Sequence, residues 1–123
     1  MSTIKANTLL HSDGTTTTQP SIPALDTRMA KAWVVFNGTG TLAVLGSYGV
    51  SSVTDNAVGQ YYINFAVAQA NTNYAVICSA ANTASNVGNA DYVVSKTTAN
   101  CLARHYEAGT HRDSDSYQAV IFS

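Results

Sequence analysis

Side chains able to do chemistry concentrate late in the chain, in the stretch RHYEAGTHRDSDSY from Arg104 to Tyr117. It gathers Arg104, His105, Tyr106, His111, Arg112, Asp113, Asp115 and Tyr117 into one segment. Tyr and Arg are favoured on recognition surfaces, because a rigid ring or a planar guanidinium supplies contact area and directed hydrogen bonds. Aromatic faces beside Asp and Arg also suit sugars, which present C–H faces and rings of hydroxyls. These eight residues are therefore the expected binding residues. The alternative for the same segment is an ordinary mobile β-loop.

Other chemistries fare less well. His105, His111, Asp113 and Asp115 would converge if the segment folded back, and imidazole suits Zn, Ni or Fe. There is no H-x-H or C-x-x-C spacing. Solvated loop histidines, and no metal, are the expectation. Glycoside hydrolysis needs two carboxylates at a set separation. Glu107 is the only glutamate, and Asp113 and Asp115 share one loop. A serine triad lacks the G-x-S-x-G elbow, and NGTGTL is a turn between strands rather than a phosphate loop. Cys78, in the apolar run YAVICSA, reads as a buried free thiol. Assembly in a cytosol argues against a disulfide to Cys101. His105 lies four residues beyond Cys101 without further support for a catalytic pair. Neither an enzymatic activity nor a cofactor is expected.

The elements that must position this segment belong to a single modest domain. The chain has 123 residues, enough to bury a core. Charged residues make up 11% and the net charge is -1, against about 25% charged in ordinary domains. No basic patch is present to neutralise phosphates, so nucleic acid is not an expected partner. No run of about 18 apolar residues predicts a membrane span. MSTIKANTLLHSDG lacks the layout of a secretory signal. Between Ala32 and Ala90 the one ionised side chain is Asp55. The sequence thus divides into a polar arm, a nearly uncharged body and a charged C-terminal segment.

The arm covers residues 1–30 and holds ten Ser or Thr residues. Pro20 and Pro23 exclude a continuous helix there. HSDGTTTTQPSIP predicts a turn at Asp13-Gly14 and then an extended segment. IKANTLL has an alternation suited to a short strand, and ALDTRMAK suits a turn or two of helix. Such a segment cannot build its own core and is expected to order against other chains.

Residues 31–123 read as β structure. KAWVVF, TLAVLGSY, GVSSVTD, QYYINFAVA, YAVICSAA, DYVVSKTTANCLARHY and YQAVIFS are strand segments between Gly, Asn, Ser and Thr turns. In GVSSVTD, Val50 and Val53 do not keep a strict alternation. QYYINFAVA places Tyr61, Ile63, Phe65 and Val67 on one face and Tyr62, Asn64 and Ala66 on the other. QANTN reads as a hairpin loop, NTASNVGNA as a polar loop, and EAGTHRDSDS as the last long loop. Seven to nine short strands without a clear helical period predict an all-β fold, an antiparallel sandwich or flattened barrel.

The segment from Lys31 to Val76 closely resembles a module of bacteriophage tail-fibre and other virion appendage proteins, particularly of marine and cyanobacterial phages. That pattern is roughly KAW-V-F-G-GT, then SYNVSSITDNGTGDYTVNF, then A-NY-V. The chain matches it at Lys31, Ala32, Trp33, Phe36 to Thr41, Ser47, Tyr48, Val50 to Ser52, Thr54 to Asn56, Gly59, Tyr61, Asn64, Phe65, Asn73 and Tyr74. MSTIKANTL and SDGTT resemble the leader of those proteins. The chain departs at Val35 and at Gly49, where the family often has Asn. The resemblance implies a non-enzymatic virion protein assembled in the host cytoplasm. Its body would be a fibre or fibre tip binding a host-surface glycan or protein. Residues 1–30 would attach to other tail or capsid proteins. A capsid decoration or head-fibre protein is the competing reading. An uncharged body on a small chain also favours a symmetric oligomer, and fibres commonly form homotrimers.

Overall fold

A computed structural model describes residues 2–15, 21–26, 28–81 and 89–123. Most of the expected threonine run, Pro20 and the 82–88 part of the NTASNVGNA loop lie outside the described residues.

The body is an open antiparallel β-sandwich, as the alternation predicts. Its described strands are β1 (Ala32–Asn37), β2 (Ala43–Tyr48), β3 (Val50–Ala57), β4 (Gln60–Phe65), β5 (Ala75–Ala81), β6 (Asn89–Lys96), β7 (Asn100–Glu107), β8 (Thr110–His111) and β9 (Ser116–Phe122). One sheet has the order β2-β1-β9-β5, and the other the order β3-β4-β7-β6 with β8 beside β7. Every pairing is antiparallel.

The period of two sends one side of each central strand inward. Ala32, Val34 and Phe36 of β1 meet Tyr61, Ile63 and Phe65 of β4, Cys101 and Ala103 of β7, and Tyr117, Ala119 and Ile121 of β9. The Phe36 ring stands edge-on to Tyr61 at 4.8 Å between centroids, and Tyr117 lies 5.3 Å from Phe36. Such rings add roughly 0.5–1.5 kcal/mol per pair beyond the area they bury.

β2 and β3 are separated by a single residue, Gly49, at which the strand leaves one sheet for the other. Its φ is +67°, and a Cβ there would stand 2.6 Å from the Lys31 carbonyl oxygen. Glycine meets both demands at once. Beyond it, the uneven spacing of Val50 and Val53 has a structural cause. The register skips Ser51, which forms a bulge, and the Ser51 hydroxyl donates to the carbonyls of Asn64 and Phe65. Both valines therefore pack against the core.

Three sequence expectations change. QANTN closes no hairpin: β4 pairs with β3 and β7, whereas β5 pairs with β9, so residues 66–74 carry the chain between sheets. Val67 does not continue the inner face of β4, because the strand ends at Phe65 and Val67 is exposed. EAGTHRDSDS is not one long loop. A two-residue turn, Ala108-Gly109, joins β7 to β8, with φ of 48° and 88°. Those are the positive values of a primed hairpin turn.

In the arm, Pro23–Asp26 makes one helical turn, within the turn or two that ALDTRMAK suited. The Asp13-Gly14 turn is formed, with Gly14 N–H donating to the His11 carbonyl. IKANTLL makes no strand among the described residues. No described strand lies in register beside it, and Ile4, Leu9 and Leu10 are 90%, 67% and 47% exposed.

Candidate functional site

The segment singled out by its chemistry is divided by the pleat of β7 into an inner and an outer set. His105 is fully buried. Its Nδ1 donates to the Asp91 carboxylate at 2.8 Å, and its Nε2 is buried without a hydrogen-bond partner among the described residues. Asp91 also accepts from the Ala80 amide of β5 at 2.8 Å, so one carboxylate ties the two sheets together. Tyr117 is fully buried, and its hydroxyl donates to the Arg104 carbonyl. Asp113 turns inward, accepting from the Gly59 amide at 2.7 Å and from the Tyr61 hydroxyl at 3.1 Å. His105 and Tyr117 are thus not surface residues, as a loop reading requires, but parts of the core. The cause is register: they sit in phase with Cys101 and Ala103 on β7, and with Ala119 and Ile121 on β9.

Gly59 shows how tightly this end is closed. It ends the β3–β4 hairpin with φ +64°, and a Cβ would lie 2.5 Å from the Arg112 carbonyl oxygen and 2.8 Å from that of His105. The 112–113 backbone is thereby held against the hairpin.

The remaining expected residues face outward or sit at the rim. Tyr106 donates its hydroxyl to the Gly109 carbonyl at 2.6 Å and stands edge-on to the His111 ring at 5.2 Å. Arg112 is exposed, and Asp115 is half-buried. Arg104 is half-buried, with Nε enclosed and without a partner among the described residues. It makes no ion pair with any described residue.

Arg104 also has neighbours that the linear segment does not reveal. Across the sheet its register partners are Gln60 of β4 and Tyr92 of β6. The next row is Thr54, Tyr62, Leu102 and Ser95, and the row beyond holds Ser52, Asn64 and Asn100. The Asn64 amide donates to the hydroxyls of Ser52 and Thr54 at 3.0 Å each, and accepts from Asn100 at 3.4 Å. The outer face of this sheet is thus a plane of rings, amides and hydroxyls around the buried Leu102. Its one charged strand position among the described residues is Arg104. In sequence, Tyr62 and Asn64 were legible as sharing one face of a strand, and Gln60 and Tyr92 only as members of strands; which strands stand beside β7 was not legible.

The thiols carry no signature of a nucleophile. Cys78 and Cys101 are free. Burial pushes the Cys101 thiol up to about 12, and burial also raises that of Cys78. Thiolates, not thiols, attack. Burial likewise raises the phenols of Tyr61 and Tyr117. Among the described residues no group of three or more His, Cys, Asp or Glu side chains could hold a metal ion.

Protein-family models, curated proteins and solved structures give no match to this chain.

Proposed function

We propose that the chain is a structural protein of a phage virion, a fibre or fibre-tip adhesin whose sandwich contacts a host-surface receptor. The observation that carries this reading is the division of labour in the fold. An arm with exposed Ile4, Leu9 and Leu10 lies outside a sandwich that needs none of those side chains for its core. Such an arm suits insertion into other virion proteins, and the body is left free to present its faces. The resemblance of residues 1–76 to phage appendage proteins supports the same reading.

In the proposed assembly three copies surround an axis, and neighbouring copies cover the uncharged face of the four-stranded sheet. Three weak sites on one tip bind far more tightly than one. Capsid decoration is the competing reading, favoured if the exposed faces contact nothing beyond the particle.

The test is competition. Purified full-length protein is expected to adsorb to host cells and to block infection by the phage. Deleting residues 2–30 should leave adsorption intact and abolish incorporation into virions. Protein that associates with capsids and never with cells establishes decoration instead.

A further inference from the structure

We infer that the outer face of the β3-β4-β7-β6 sheet binds a carboxylate-bearing glycan, with Arg104 holding the acid. This rests on the adhesin reading and moves its contact site from a loop to a sheet.

The first argument is charge. Arg104 is the one ionised residue on the strand positions of that face, and no described carboxylate pairs with it. Its Nε is enclosed without an acceptor among the described residues. A guanidinium is a planar fork of donors matched to a carboxylate. Flanked in register by Gln60 and Tyr92, with no carboxylate on the described rows beside it, it is complementary to an anion brought by a partner.

The second argument is what surrounds it. Gln60 and Tyr92 flank Arg104 directly in register. Tyr62 lies on the next row, and Tyr106 two positions along β7. Strands stand about 4.8 Å apart, so the row from Gln60 to Tyr92 spans about 10 Å, the length of a disaccharide. Rings offer flat surfaces to sugar C–H faces, and Gln60 offers an amide to sugar hydroxyls. Asn64 is held by three hydrogen bonds to side chains, so part of this polar surface is ordered before any ligand arrives. Preordering lowers the entropy cost of binding.

The third argument separates a glycan from a protein partner. Protein interfaces centre on an apolar, desolvated patch. Here the central apolar residue, Leu102, is only 7% exposed and has little left to bury, and the exposed Val94, at 46%, lies away from the centre on the edge strand β6.

The experiment is calorimetric titration of the full-length chain with tetragalacturonate and with 3′-sialyllactose, each against its methyl ester. At least one acid is expected to bind saturably. Its ester, with the same rings and no charge, should bind at least about ten-fold more weakly, a loss of about 1.4 kcal/mol. Arg104→Gln should show the same loss, Arg104→Lys a partial one, and Tyr92→Ala should weaken acid and ester alike. Absence of binding by both acids, or equal binding of acid and ester, overturns the proposal. The ester comparison uses the unaltered protein, so it decides the matter even if a variant fails to fold. Failures of the two readings are separable. If Arg104→Gln protein adsorbs to cells as well as the original, the sheet site falls and the adhesin stands. If the acids bind but the protein adsorbs to no host cell, the site stands and the adhesin falls.

Discussion

On the four-stranded sheet, the outward row Tyr48, Trp33, Val120 and Ile77 crosses every strand without a charge or an amide. Trp33, Tyr48 and Ile77 are 39%, 42% and 63% exposed. On the five-stranded sheet, the equivalent crossing is Gln60, Arg104 and Tyr92, bordered by hydroxyls and side-chain amides. The pleat is the same and the inner faces share one core, so the contrast owes nothing to folding. A face used only for solvation would carry mixed charges on both sides. The difference is one of surface chemistry: one face is apolar and uncharged, the other polar with a single cation.

The largest effect expected concerns what holds the two faces in one body. Asp91→Ala removes the acceptor shared by His105 and the Ala80 amide, leaving two buried donors unsatisfied. A loss of about 3 kcal/mol is expected in denaturant unfolding. A variant as stable as the original would mean that the sheets are held by apolar packing alone. Next comes assembly. Ile77→Glu puts a charge in the middle of the uncharged row, and sedimentation should then report the single-chain mass of 12.9 kDa. Thr54→Glu, on the opposite face, should leave the oligomer intact. Equal behaviour of the two variants would erase the distinction between the faces. The smallest effect lies in the β7–β8 turn, beside the polar face. Ala108 holds φ 48°, which costs a residue with a Cβ roughly 1–2 kcal/mol. Ala108→Asn supplies the preferred pair for a primed turn. It should raise stability by about 0.5–1 kcal/mol, read as a shifted unfolding midpoint.

Much of this fold was legible because strands announce themselves by alternation. QYYINF reads correctly at Tyr61, Ile63 and Phe65, since burial of one face writes a period of two into the sequence. The bulge at Ser51 also left a mark, in the broken spacing of Val50 and Val53. The site was less legible. Arg104 and Tyr106 are outward and His105 is inward because of strand phase, yet their shared polarity made them look like one loop. Tyr92 and Gln60 stand beside Arg104 only because β6 and β4 flank β7, and pairing between strands leaves no local trace. Asp91 was a lone acid in the sequence. Its role depends on reaching β5 across the core.

The sheet order also bears on how the molecule comes into being. β9 lies between β1 and β5 in the four-stranded sheet, although it is the last of these strands in sequence. The β1–β2 and β3–β4 hairpins close over short separations, and the Gly49 corner links them. They can form while synthesis is still under way. Joining β1 to β9 pairs Ala32 with Ile121, and long closures of this kind are the slow ones. Until residues 116–122 arrive, β1 and β5 each present an open edge, the state most prone to pair with the wrong chain. Completion of one strand therefore sets the moment at which β1 and β5 become parts of one sheet.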